Sequence, residues 1–221
     1  MSFKQALEVL PVVADSLWQA GSHRFFCGDS VKLFQSGRWN ELFPMAECVY
    51  TDPPWNEAIQ KRFHDLAGLP PSSQPFSSFL GDIPSLLKGI CPQGTIACEM
   101  GLKSYPVLKE AFNACGAVTF AEGTGTYGHQ HTPNSIWFGS FGAMKTPFDA
   151  PCLHGKEMAR FVVQAIKSDA TTFCDPFCGQ LLFVQEAIRQ GLTCFGCELI
   201  PSKLARGLIT LSKNHPVQRL L

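Results

Sequence analysis

An acid, two prolines and an indole stand side by side at Asp52-Pro53-Pro54-Trp55. Asp52 and Pro53 each precede a proline, which biases both to extended backbone. Neither proline has an N–H, so the turn offers carbonyl oxygens without competing donors. A flat, electron-poor amino group could be gripped here by the Asp52 carboxylate and the Pro53 carbonyl, with Trp55 against its ring. An aromatic exocyclic amine is a poor nucleophile because its lone pair is delocalised. Two acceptors on its two N–H groups draw the nitrogen toward tetrahedral geometry, so positioning and electrostatics supply most of the gain. A base in a duplex must be flipped out to reach such a shelf. The plainer alternative for the same four residues is an ordinary turn between strand and helix.

A second group of residues suits a cofactor. Asp175-Pro176-Phe177-Cys178-Gly179-Gln180 leaves an apolar run and enters helical spacing, and Glu198 follows 23 residues after Asp175. An acid about 20 residues beyond a strand–glycine–helix turn commonly accepts from ribose hydroxyls. With one glycine and no adjacent base, this turn is a poor phosphate cradle. S-adenosylmethionine carries ribose and adenine without phosphate, and fits. Asp29 closes another apolar run at Gly28-Asp29-Ser30. Glu198 and Asp29 each have a simpler reading as helix-capping acids.

These residues need a scaffold that brings strand ends together. Apolar periodicity places strands at 24–27, 47–51, 94–99, 117–121, 135–139, 171–174 and 193–198. Helices are expected at 3–18 with a kink at Pro11, and at 30–34, 76–88, 105–114, 156–166, 181–189 and 202–211. The alternation implies an α/β fold: a mostly parallel seven-stranded sheet, an antiparallel edge hairpin from 117–121 and 135–139, and helices on both faces. Asp29, Asp52, Asp175 and Glu198 then all fall at strand ends, where such sheets bind ligands.

In this order the segments resemble the β-class, permuted amino-methyltransferases of nucleic acids, the N6-adenine/N4-cytosine type with a Rossmann-like methyltransferase fold. That family carries Asp-Pro-Pro-Tyr/Trp first and Asp-Pro-Phe-x-Gly-x-Gly later; here they stand at 52–55 and 175–181. Gly28-Asp29-Ser30, His154-Gly155-Lys156 and Phe195-Gly196-Cys197-Glu198 match further family segments, and the likeness spans most of 24–212. The resemblance implies methylation of an exocyclic amine from S-adenosyl-L-methionine, with adenine N6 in DNA foremost. Asp52, Pro53, Pro54 and Trp55 would act on the substrate. Asp29 would meet adenine, Glu198 the ribose, and His154 and Lys156 the methionine end; Asp52, Asp175, Phe177, Cys178 and Gly179 would complete the cofactor site. RNA or a small amine metabolite is the alternative substrate, and a catalytically silent subunit partnering an active copy is the rival from another class. Leu181 stands where the family has its second glycine. Because Leu182 and Phe183 continue a helical pattern, Leu181 is expected in ordinary helical geometry. Glu157 replaces the usual proline after Lys156.

The whole chain is expected to be one methyltransferase domain. Residues 1–22 would be an N-terminal helix, 56–75 a mobile loop with a helical turn or two, and 123–153 a reduced target-recognition region. With so short a recognition region, selectivity would be weak or would come from a separate specificity subunit; a homo-oligomer is the other partnership considered. Composition is 45% hydrophobic and 16% charged, with zero formal net charge over 221 residues. That allows a sizeable core and gives no global basic excess for nucleic acid, so a local basic face must supply it. Absence of a signal-peptide pattern or membrane-length run points to the cytoplasm, with its ten cysteines as free thiols. Cys174, Cys178, Cys194 and Cys197 have zinc-like spacing, but their apolar strand context favours buried thiols, and no metal is expected. His129 and His131 read as a solvated or substrate-facing loop. Lys61, Arg62 and His64 read as a solvated face, with phosphate contact as the sharper option.

Overall fold

The computed structural model describes residues 2–127, 132–142 and 146–221. His129 and His131 lie outside the described residues. Ten strands form one sheet among the described residues: β1 Ser16–Ala20, β2 His23–Cys27, β3 Cys48–Thr51, β4 Thr95–Gly101, β5 Val118–Tyr127, β6 Thr132–Ser140, β7 Leu153–His154, β8 Thr172–Asp175, β9 Thr193–Glu198 and β10 Val217–Arg219. Their spatial order is β10-β1-β2-β9-β8-β3-β4-β6-β5-β7. The five strands from β2 to β4 run parallel. Antiparallel pairs extend this block at both sides, β10 and β1 beside β2, and β6 and β5 beside β4. The sheet is therefore mixed, and larger than the mostly parallel seven strands expected. All seven expected strands are present; β1, β7 and β10 are the additions.

The helices are α1 Phe3–Val9, α2 Ser30–Gln35, α3 Trp39–Leu42, α4 Glu57–Ala67, α5 Phe76–Ile90, α6 Tyr105–Ala114, α7 Gly155–Lys167, α8 Leu182–Arg189 and α9 Pro201–Leu211. The expected helix over 1–22 stops at Val9. Leu10, which precedes Pro11, is extended at φ −134° and ψ 101°, as the proline ring requires. The chain then enters β1, where Trp18 is a buried strand residue and not part of a helix face.

Two other segments differ from expectation and both frame the site. Residues 56–75 hold an 11-residue helix, α4, in place of the expected mobile loop. The Asn56 side chain accepts from Ile59 N at 2.9 Å, and Gly68 ends the helix at φ +71°. Its polar outer residues mask an inner face of Gln60 and His64, both buried. Much of 123–153 is β-hairpin, with β5 running to Tyr127 and β6 beginning at Thr132. The sheet thus absorbs much of the region assigned to target recognition.

Two apolar clusters cover the sheet. One includes Tyr50 stacked on Phe183 at 3.4 Å, and the other Phe112 stacked on Trp137 at 3.9 Å. Cys178 and Cys194 belong to the first cluster, Cys174 and Cys197 to the second. Alternation along the strands thus divides the zinc-like quartet between the two faces of the sheet.

Candidate active site

A cavity of about 920 Å³ opens where β2, β3, β8 and β9 end. Asp29, Asp52, Pro53, Pro54, Trp55, Phe177, Gly179 and Glu198 all line it. Residues far apart in sequence meet here because β9 and β8 lie between β2 and β3. The far wall is α4 with the segment from Leu69 to Gln74. His64 ties that wall together, its Nδ1 lying 3.0 Å from the Pro70 carbonyl oxygen.

Asp52 leaves β3 with its carboxylate Oδ1 accepting from the Trp55 indole Nε1–H at 2.6 Å. Burial pushes its carboxyl up to about 7, while the indole hydrogen bond and the charge of Lys203 pull the other way. Trp55 also lies against Gly101, where an added Cβ would come within 3.0 Å of the indole. The ring expected only to stack on a substrate thus also holds the acid.

Glu198 is buried and makes two backbone contacts. Oε2 accepts from Gly179 N and Oε1 from Ile200 N, each at 2.8 Å. The first ties the end of β9 to the turn after β8. Gly28 N donates to the Glu198 carbonyl at 2.9 Å, which adds the end of β2. Burial raises the Glu198 carboxyl; Lys203 and the two N–H groups oppose that rise. Asp29 caps α2, its Oδ1 accepting from Val31 N and Lys32 N at 3.1 Å. Asp29 thus fulfils the capping reading, whereas Glu198 caps no helix and instead ties the Gly179 turn to the start of α9; both line the cavity. Gly179 sits at φ +54°, and a Cβ there would meet no atom within 4 Å.

Four of the expected site residues do not line the cavity. Asp175 is buried beneath the turn, its Oδ1 accepting from Phe177 N at 3.0 Å, and burial holds its carboxyl well above the usual range. Cys178 is a buried thiol whose backbone N donates to Cys197 O at 2.9 Å. The pairing of Thr126 with His154 carries β7 to the opposite end of the sheet order from β10, and His154 Nδ1 is 2.8 Å from Thr126 O. Lys156, two residues on, lines a separate cavity of about 540 Å³ with Arg160, Arg189 and Lys213. His154 and Lys156, expected at the methionine end, therefore do not line the Asp52 cavity.

Leu181 also departs from expectation. It has φ +64° and ψ 30°, the left-handed geometry, immediately before α8. Its side chain is fully buried and points at α9; a Cβ on Gly207 would lie 2.5 Å from Leu181 Cγ.

Several cavity residues are not legible as functional in the sequence. Lys203 follows Pro201 in the first turn of α9, with Nζ 3.8 Å from the Phe63 ring centroid. Its one signal is a lysine where the helix dipole disfavours a cation. Gln60 and Phe63 give no signal, and His64 reads as part of a solvated face. Beside the cavity, Glu99 is fully buried, accepting from Tyr50 Oη at 2.5 Å and from the Asn134 amide. Burial and the charge of Asp52 push its carboxyl well up. Among the described residues, no three His, Cys, Asp or Glu converge as a metal site.

No family model and no curated protein sequence matches the chain. Solved structures do. TTHA0409 of Thermus thermophilus, assigned as a candidate DNA modification methylase and complexed with S-adenosyl-L-methionine, superposes with a TM-score of 0.63 at 15% identity, covering 88% of this chain and 95% of that one. M1.HpyAVI gives 0.59 at 13%, over 85% and 98%. The PvuII DNA methyltransferase, cytosine-N4-specific, gives 0.54 at 13%, over 88% and 93%. The chain shares the fold of these solved structures. On it, the Asp52 turn and the Gly179 turn follow neighbouring strands and line a single cavity.

Proposed function

We propose that this protein transfers the methyl group of S-adenosyl-L-methionine to the exocyclic amine of a nucleobase in DNA, with adenine N6 as the acceptor. The observation that carries this is the meeting of Asp52-Pro53-Pro54-Trp55 with Asp29, Phe177, Gly179 and Glu198 around one cavity. The residues fit the cofactor. Gly179 leaves open space where any other residue would place a Cβ. Asp29 and Glu198 offer acceptors to hydroxyl and amine groups, and Phe177 offers a ring face. At about 920 Å³ the cavity is at the upper end of the roughly 300–1,000 Å³ that holds one small ligand, which leaves room for a base as well.

When bound, the cofactor supplies an electrophilic methyl group on a sulfonium. The chain's own residues do the rest. Trp55 occupies Asp52 Oδ1, so Oδ2 and the Pro53 carbonyl are the two acceptors for the amine N–H groups. Holding both orients the nitrogen lone pair, and the fixed dipoles require no reorganisation as charge develops. The amine must lose one proton, and Asp52, with its carboxyl near 7, is placed to take it at Oδ2. α4 forms the wall opposite the strand ends. Leu181 points away from the cavity, so its bulk leaves the cofactor half open.

Adenine is favoured by the aspartate opening the motif and by the large Trp55 platform. DNA is favoured by the shared fold with the named DNA methylases. The test is mass spectrometry of nucleosides from DNA and RNA of cells expressing the wild type or Asp52→Ala. N6-methyldeoxyadenosine with the wild type alone is expected. N4-methylcytosine alone would reassign the acceptor base, modification confined to RNA would reassign the polymer, and full activity of Asp52→Ala would refute the mechanism.

A further inference from the structure

Gln60 is a polar side chain that the proposed mechanism leaves unused. It lies one turn into α4, whose start is fixed by the Asn56 side chain on Ile59 N. The residue is only 6% exposed and lines the cavity together with Pro54, Phe63, Phe79 and Phe177. Its backbone N–H continues the helix onto Asn56 O. Its side-chain amide is not among the enclosed unpaired polar groups; it opens onto the cavity, where a ligand can reach it. A primary amide at the edge of an open cavity offers both a donor and an acceptor to whatever binds there. His64, the next residue on the same face, spends Nδ1 on the Pro70 carbonyl and so steadies this wall.

We propose that Gln60 is a substrate-recognition residue: its amide donates to a ring nitrogen of the nucleobase whose amine is held at Asp52. This rests on the methyltransferase reading above. With both amine hydrogens taken by Asp52 Oδ2 and the Pro53 carbonyl, the acceptor beside the amine, adenine N1 or N7, still needs a donor. A carboxamide N–H is a neutral donor suited to such a ring nitrogen. Asp52 and Glu198 are acceptors when ionised, so neither serves a ring-nitrogen lone pair. Gln60 supplies the missing N–H from the opposite wall.

The experiment compares wild type, Gln60→Leu and Gln60→Glu. S-adenosyl-L-methionine affinity is measured by calorimetry, and transfer of a labelled methyl group is measured to unmethylated DNA and to DNA carrying 7-deazaadenine or 1-deazaadenine. Both variants are expected to bind cofactor like the wild type. Each should lose about ten-fold or more in kcat/KM on ordinary DNA, the loss of one buried hydrogen bond. One deaza base should slow the wild type by a similar factor and slow Gln60→Leu no further, because the contact is already gone. Full activity of Gln60→Leu, loss of its cofactor binding, or additive losses with both deaza bases would overturn the assignment. A wild type that binds cofactor but methylates no nucleic acid would refute the methyltransferase reading first, and Gln60's role with it, before any variant is made.

Discussion

Leu181 offers the sharpest test of how this turn is built, because two effects of known sign oppose each other there. Its backbone is left-handed at φ +64°, which costs a residue bearing a Cβ roughly 1–2 kcal/mol. Glycine would relieve that cost. But the side chain is fully buried against Gly207, and truncating a buried leucine to alanine costs roughly 2–5 kcal/mol. Leu181→Gly should therefore destabilise the protein by about 2 kcal/mol, the middle of the roughly 0–4 kcal/mol left after the backbone relief. At about 2–4 °C per kcal/mol for a chain of this size, the melting temperature should fall by several degrees. Leu181→Ala loses nearly the same packing and keeps the backbone cost. Alanine should thus be less stable than glycine by about 1 kcal/mol, the reverse of their order in an ordinary helix. Urea unfolding of the three proteins measures both differences. An alanine variant more stable than the glycine variant would refute the left-handed geometry, and a glycine variant as stable as the wild type would refute the packing. Cofactor affinity should change little in either variant, since Leu181 faces α9.

Other expectations follow from the charges around the cavity. Transfer needs Asp52 ionised, and burial has raised its carboxyl to about 7, so activity should rise with pH through neutrality; a profile flat from about pH 6 to 8 would contradict this. Lys203→Met removes a cation that draws Asp52 and Glu198 toward ionisation, so the rising limb should move to higher pH, with Lys203→Arg restoring it. Glu198→Ala should weaken S-adenosyl-L-methionine binding about ten-fold or more, the size expected of hydrogen bonds to a charged group. The same change frees the Gly179 and Ile200 N–H groups, so a thermal melt must accompany the titration. Raising salt a few-fold should slow transfer to DNA steeply through counterion effects, and an indifferent rate would favour a small-molecule substrate.

Much of the site is legible because its residues sit where strand periodicity stops. Asp29, Asp52 and Glu198 end apolar runs, and a parallel sheet carries such ends to one rim. Proline and glycine mark both turns. What stays hidden is set by tertiary burial. Residues 56–67 are polar enough to read as a loop, yet Asn56 and Gly68 cap a helix there, and only the cavity shows which face of it matters. The strand at 16–20 is concealed by helical spacing upstream, since nothing local says that the helix ends at Pro11 instead of bending. His154 and Lys156 match a family segment by type and order, but the pairing of β7 with β5 places them away from the Asp52 cavity. Leu181 is misread because Leu182 and Phe183 continue a helical pattern, whereas its geometry is imposed by packing on Gly207.

The strand order explains why one chain must supply both halves of the site. Asp29 ends β2 and Asp52 follows β3, but β9 and β8 lie between them. Three inter-strand steps separate β2 from β3, about 14 Å at the usual spacing. Across that span the rim presents Asp29, then Glu198, then the Phe177–Gly179 turn, then Asp52. On the proposed reading, an acid for adenine, an acid for ribose, a glycine opening and an acid for the target amine follow the order of groups along S-adenosyl-L-methionine toward its methyl. The order exists only once the C-terminal third has inserted between two N-terminal strands, so neither half forms the cavity alone. The same insertion sets Lys203, in the first turn after β9, across from Phe63 on α4. On the proposed reading, the element that holds the ribose is also the one whose cation reaches the wall over the substrate, which couples the cofactor half to the substrate half.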